Sequence, residues 1–130
     1  TWQDQFGALG YETVNTNDEK LVRFQTLEGG MAALFYLLRV SDHFNSKPWS
    51  EALTIYKSST NIGSLLKELE AESIDTTENV LTTLANRSNS IIVGAIIAKW
   101  EAETYHGGPN PGTQRQWGEA WDWANTVITT

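Results

Sequence analysis

The sequence predicts a mainly α protein, a compact bundle of about five to six helices behind a short N-terminal β-hairpin or extended segment. The first observation is that apolar residues recur at helical spacing from residue 26 onward. The second is that residues 1–25 lack this period and contain glycines and turn-forming residues. The third is the composition, 40% hydrophobic and 19% charged over 130 residues, which is typical of a folded domain. We therefore expect a single domain over residues 1–130, non-helical over 1–25 and helical over 26–130.

The N-terminal segment carries one β-favouring run, from Leu21 to Thr26, which partly alternates apolar and polar residues. We expect a strand there, as one arm of a hairpin that turns at residues 15–18. Thr26 is a suitable N-cap for the first helix, and Glu28 places negative charge where the helix dipole favours it. The helix has an apolar face and should end near residues 43–46; that face contains Met31, Leu34, Phe35 and Leu38.

Two further helices are predicted between Pro48 and Glu72. Pro48 suits the first turn of the second helix, where its missing N–H is no loss. The apolar face of this helix is formed by Trp49, Ala52, Leu53 and Tyr56. A polar break at residues 57–61 precedes the third helix, whose apolar side contains Ile62, Leu65, Leu66 and Leu69.

The C-terminal half predicts three more helical segments. The run from Asp75 to Glu78 is typical of a capping box that opens the fourth helix. Residues 86–89 should break it, and a fifth helix should run over about 90–104. The glycines and prolines of residues 106–112 predict a loop before a last helix at about 113–128. The first and fifth helices have the broadest apolar faces, so we expect them to form the central pair.

Charge and residue usage exclude several classes of function. The net charge is −7 and no cluster of Lys or Arg exists, so we expect no nucleic-acid partner. No apolar run approaches the roughly 20 residues that span a bilayer, so we expect no membrane span. The chain has no cysteine, and His43 and His106 are far apart, so we expect no metal site. No nucleotide-binding glycine motif is present, and we expect no cofactor.

Two glutamates are candidates for acid catalysis, because glycosidic cleavage needs a carboxylic acid. Glu28 precedes Gly29 and Gly30, and two glycines would let a ligand approach the backbone closely. Alternatively, Glu28 stabilises the helix start and the glycines permit tight packing. Glu101 is adjacent to Trp100, and a neighbouring tryptophan can raise the pKa of an acid. Its alternative is a solvated residue at a helix end.

Six tryptophans are the unusual feature of the composition, and three of them lie in a seven-residue stretch of the predicted last helix. Trp117 and Trp121 share a helix face, whereas Trp123 points elsewhere. Exposed aromatic residues mark sugar-binding platforms and protein interfaces, but Trp117 and Trp121 could equally belong to the core. Trp123 is the best candidate for contact with a partner chain or with a further N-terminal part. The candidate binding residues are Trp117, Trp121, Trp123, Trp100 and Tyr105.

Several segments, taken in order, resemble a family of tailed-phage virion proteins, some of them lysozyme-like. The family pattern has a Trp-containing segment, then an aromatic strand that leads into a helix starting with Glu and Gly. That helix ends in Leu-Leu-Arg. The pattern continues with a tyrosine-containing break, a further helix, and a closing helix that contains Ala-Ile-Ile. The corresponding residues here are Trp2 to Gln5, Arg23 to Met31, Leu37 to Arg39, Tyr56 to Leu69, and Ala95 to Glu101. The chain differs at Asp4, where the family pattern has glycine.

The resemblance implies a non-enzymatic structural or assembly protein of a phage-like particle, located in a virion or extracellularly. Its partners would be other protein chains, in an assembly or homo-oligomer. The first alternative is a lysozyme-like hydrolase that cleaves peptidoglycan, for which the resemblance suggests Glu28 as the acid and Glu101 as a more distant candidate. The second alternative is a secreted helical module that binds protein or sugar through the aromatic C-terminal helix.

Overall fold

The computed structural model describes residues 2–13, 20–57, 62–101 and 112–130. These residues form a mainly helical fold with a short two-stranded antiparallel sheet, which confirms the predicted fold class. In chain order the elements are a 3-10 helix (Trp2–Phe6), β1 (Ala8–Thr13), β2 (Lys20–Phe24), α1 (Leu27–Val40), α2 (Trp49–Lys57), α3 (Gly63–Ala71), α4 (Val80–Leu84), α5 (Arg87–Glu101) and α6 (Gln114–Thr129).

The N-terminal segment forms the predicted hairpin, with β1 paired antiparallel to β2. The predicted turn at residues 15–18 lies outside the described residues. The segment was expected to be non-helical, and the 3-10 helix departs from that. This helix docks because Phe6 is fully buried, in contact with the rings of Tyr36 and Trp123. A backbone hydrogen bond of 2.8 Å from Gln25 N to Gly7 O joins it to the end of β2.

The first long helix, α1, begins as predicted and ends earlier than predicted. Thr26 is its N-cap, and the Thr26 hydroxyl accepts a hydrogen bond of 3.0 Å from Gly29 N. The helix ends at Val40 rather than near residues 43–46, because Ser41 takes an extended conformation. The Asn45 side-chain amide then donates to Arg39 O, which satisfies a carbonyl that a longer helix would have bonded.

Two helix starts in the C-terminal half differ from the prediction. Asp75 accepts hydrogen bonds from the backbone N and hydroxyl of Thr77, so its carboxylate closes a local turn instead of capping a helix. The predicted capping box is therefore wrong, and α4 begins at Val80. Asn86 lies in the expected break between two helices, and it also caps α5, since its Oδ1 accepts a hydrogen bond from Asn89 N.

The central pair is α1 with α6, and not α1 with the fifth helix as predicted. The two helices run parallel, because Glu28 meets Gln116 near their starts and Arg39 meets Asn125 near their ends. Helix α5 packs on α6 in the opposite direction. Close packing is possible because α6 presents small buried residues, and these are Gly118, Ala120 and Ala124.

The core surrounds this pair and extends under α2, α3 and α4. Trp49 lies fully buried in it, and the Trp49 indole N–H donates a hydrogen bond of 2.9 Å to Thr83. Among the described residues, no helix has the length and apolar character needed to cross a membrane. The largest fully buried side chains are Trp49, Trp117, Phe6, Phe35, Leu38, Leu53, Leu65, Leu69, Leu84, Ile97, Val80 and Val93.

Candidate functional site

The carboxylate of Glu28 connects the starts of the two central helices. Glu28 lies in the first turn of α1, half-buried, and its Oε1 accepts a hydrogen bond of 2.8 Å from the Gln116 side-chain amide. Gln116 in turn accepts from Thr113 N at 2.9 Å, as part of the capping box of α6. One oxygen of the Glu28 carboxylate is therefore engaged in a contact between α1 and α6.

The two glycines after Glu28 have different surroundings. A Cβ at Gly29 would collide with the backbone carbonyl of Phe6, so Gly29 lets the N-terminal 3-10 helix approach α1. A Cβ at Gly30 would contact the side chain of Phe24, at an ordinary distance of 3.4 Å from its ring. The packing interpretation therefore applies to Gly29, whereas a side chain at Gly30 would be tolerated, and Gly30 lines the groove described next.

An apolar groove of about 650 Å³ lies along α1, between the N-terminal 3-10 helix, β2 and the C-terminal part of α5. Its floor follows α1 from Leu27 to Leu37, a length of about 15 Å at 1.5 Å per residue. We call this cavity the α1 groove. The described residues that line it are Trp2, Gln3, Val22, Phe24, Gln25, Thr26, Leu27, Gly30, Met31, Ala33, Leu34, Leu37, Tyr56, Ala98 and Trp117.

The described lining of the α1 groove is mainly apolar and carries no charged side chain. None of the described lining residues is Asp, Glu, Lys, Arg or His, and Glu28 is not among them. The non-aromatic polar side chains are those of Gln3, Gln25 and Thr26, and the Thr26 hydroxyl already bonds Gly29 N. Neutral amides beside aliphatic surface suit an uncharged ligand that offers both hydrogen-bond donors and acceptors.

Trp117 forms part of the groove floor and also belongs to the core. It is 1% exposed, and its ring meets that of Phe35 edge-on with a centroid separation of 5.4 Å. The indole lies against α5 at Gly94, where a Cβ would come within 2.5 Å of its Cζ3. The core interpretation of Trp117 is therefore correct, and the absence of a side chain at Gly94 makes room for it.

Trp121 holds α6 to its neighbours through its indole N–H and its ring face. The N–H donates a hydrogen bond of 3.0 Å to Leu84 O, and the guanidinium of Arg39 lies 5.3 Å from the ring centroid. Arg39 also donates to Asn125 Oδ1 at 3.2 Å. Its Nε and Nη1 are buried without a hydrogen-bond partner in the described part of the chain. Burial lowers the pKa of Arg39 from its usual value.

Trp123 contacts the N-terminal segment of this same chain. Its ring is half-buried and meets the ring of Phe6 at a centroid separation of 5.4 Å. Trp2 extends the same aromatic group by stacking on Tyr36 at 4.9 Å. The last helix was predicted to have aromatic surface beyond the needs of one buried stripe. It packs on several sides, and each of its three tryptophans makes an intramolecular contact.

The remaining candidates lie at the end of α5. Trp100 is half-buried and packs against the core. Glu101 is the last residue of α5, but its side chain, like all of Tyr105, lies outside the described residues. The role of Glu101 as a more distant candidate acid therefore stays a prediction. Over the described ranges, no group of three His, Cys, Asp or Glu side chains could hold a metal ion.

Sequence reasoning did not find the partner of Glu28 or the polar wall of the groove. The pattern Thr113-x-x-Gln116 is a capping-box pattern and marks Gln116 as a residue facing the helix start. Nothing in the sequence pairs it with Glu28, which is 88 positions away. Gln3 and Gln25 carry no local sequence signal, because only the folded hairpin brings them to the same wall of the groove.

No family model, no curated protein and no solved structure matches the chain.

Proposed function

We propose that the chain is a non-enzymatic structural or assembly protein of a phage-like particle, which acts by contacting other protein chains. The observation that carries the non-enzymatic part is the hydrogen bond from Gln116 to Glu28. This bond gives the carboxylate a packing role between α1 and α6. The particle context comes from the ordered sequence resemblance to tailed-phage virion proteins.

The α1 groove supports a binding role. A glycosidase needs an acid at the scissile bond, together with a second carboxylate or an activated water. The described residues lining the groove supply aliphatic and aromatic surface with two free-standing amide side chains, those of Gln3 and Gln25. Such a lining matches the apolar segments that proteins bury against one another.

Zymography on peptidoglycan tests the non-enzymatic part of the proposal. The purified chain and its Glu28→Gln variant are compared beside a lysozyme lane that shows the gel is competent. We expect no clearing from either protein. Clearing by the wild type that is lost in Glu28→Gln would overturn the proposal and make Glu28 the acid. Glutamine keeps the size and an acceptor oxygen for Gln116, so circular dichroism should show an unchanged fold.

The assembly part is tested by density-gradient centrifugation of lysate from the natural producer, followed by immunoblotting for the chain. We expect the chain to migrate with particles and to remain with them after a second gradient. A chain found only at the top of the gradient, together with free soluble proteins, would contradict the particle assignment. The lysate is first treated with nuclease, so that the chain cannot migrate with particles merely because both are bound to free nucleic acid.

A further inference from the structure

We propose that the α1 groove is the docking site for a short extended segment of another protein chain, with uncharged apolar side chains pointing to the floor. This inference rests on the proposed function and deepens it, because it names the surface and the chemistry of the partner. It is carried by the groove's length, by its neutral lining and by its size relative to protein interfaces.

The length and volume fit a short linear segment. The floor runs about 15 Å along α1, and an extended chain covers roughly 3.3 Å per residue, so four or five residues fill it. The volume of about 650 Å³ lies within the range of pockets that enclose compact ligands. Successive side chains of an extended segment point to opposite sides, so alternate residues would reach Met31 and Leu34.

The lining favours peptide chemistry over a charged group. Burying an unpaired charge against aliphatic surface is strongly unfavourable, and the described lining has no Asp, Glu, Lys, Arg or His to pair with one. The amides of Gln3 and Gln25 each offer donors and an acceptor, which match the N–H and C=O groups of an extended backbone. Gly30 also lines the groove, next to the ring of Phe24.

Two observations favour another chain over a second copy of this one. Fifteen described residues line the groove, whereas each partner in a standard protein interface contributes about 20 to 30 residues. Each copy also carries a net charge of −7, and like charges oppose close association. The occupant we infer is therefore an uncharged apolar segment from a different protein.

Fluorescence anisotropy with a capped seven-residue peptide that alternates leucine and serine tests the proposal. A control peptide has each leucine replaced by aspartate. The Leu34→Gln variant places an amide on the groove floor, and Leu81→Gln makes the same change at an exposed leucine of α4 that does not line the groove. Gln25→Ala removes one wall amide and keeps the Cβ of the residue.

We expect saturable binding of the leucine peptide and none of the aspartate peptide. Leu34→Gln should weaken binding by about tenfold and Gln25→Ala by about threefold, on the scale of a lost apolar contact and a lost hydrogen bond. Leu81→Gln should stay within about twofold of wild type. Absence of saturable binding by wild type, or equal loss in Leu81→Gln, would overturn the proposal.

Size-exclusion chromatography with light scattering tests whether a second copy of this chain occupies the groove instead. A concentration-dependent dimer that disappears in Leu34→Gln would show that a second copy fills the groove and would also overturn the proposal. The failures are distinguishable. Clearing in the zymogram contradicts the proposed function, whereas a blank zymogram with no peptide binding removes only the docking site.

Discussion

Replacing Gly94 with alanine should destabilise the protein, although alanine is the better helix former. The added Cβ would lie 2.5 Å from Cζ3 and 2.9 Å from Cδ2 of Trp117. Carbon atoms in contact are normally about 3.5–4.0 Å apart, so the indole and the α5 backbone must separate by roughly 1 Å. Trp117 has little room to move, because it is 1% exposed and its ring already contacts that of Phe35.

The magnitude follows from two opposing terms. Overpacking a well-filled core costs about 1–3 kcal/mol, and exchanging Gly for Ala inside a helix returns about 1 kcal/mol. The difference of these two terms lies between about 0 and 2 kcal/mol, and we expect the free energy of unfolding to fall by about 1 kcal/mol. For a chain of this size that corresponds to a decrease in Tm of roughly 4 °C.

Urea unfolding followed by circular dichroism and tryptophan fluorescence measures this change. The matched control is Gly63→Ala at the exposed start of α3, where a new Cβ would have no heavy atom within 4 Å. We expect the control to leave stability unchanged or to raise it by up to about 1 kcal/mol. Equal stabilities for Gly94→Ala and Gly63→Ala would refute the idea that Trp117 fills the space beside α5.

Three further changes test other contacts. Arg39→Lys should cost about 1–2 kcal/mol in urea unfolding, because an ammonium cannot keep both the contact 5.3 Å from the Trp121 ring centroid and the hydrogen bond to Asn125. Unchanged stability would show that these contacts of Arg39 contribute nothing. Ser73 has a positive φ of 65°, so Ser73→Gly should raise stability by about 0.5–1 kcal/mol, and a lower Tm would contradict this. Hydrogen bonds from the hydroxyl and backbone of Thr77 lower the pKa of Asp75. The stability Asp75 contributes is therefore present above its unfolded pKa and lost as the pH falls through the lower folded pKa. A carboxyl titration by NMR should show this lower value, and Thr77→Ala should return it toward normal.

Periodicity predicted the helices because burial on one face leaves a repeating apolar pattern in the sequence. The N-cap Thr26 was predicted from its residue type, since side-chain caps act within three residues. The start of α4 was missed for a related reason. Asp75 and Thr77 bond to each other in a turn, and the same residue types could have capped a helix.

Pairing of elements was less predictable than the elements themselves. The breadth of an apolar face indicates how much surface a helix buries, but it does not say how closely a second helix can approach. Closeness depends on small residues, and Gly118 and Ala120 are scattered among the tryptophans of α6. The partner of Glu28 could not be predicted either, because its contact with Gln116 exists only once α1 and α6 lie side by side.

Trp117 makes the core and the α1 groove interdependent. One side of its indole fills the space left by Gly94, and the residue also contributes to the groove floor. A change that displaces the ring from α5 must therefore change the shape of the floor near Met31. Gly94→Ala should weaken binding of the leucine peptide as well as lower stability, whereas Ser73→Gly, far from the groove lining, should change stability alone. Peptide affinity that is unchanged in a folded Gly94→Ala protein would show that the floor is set by α1 and β2 without the indole.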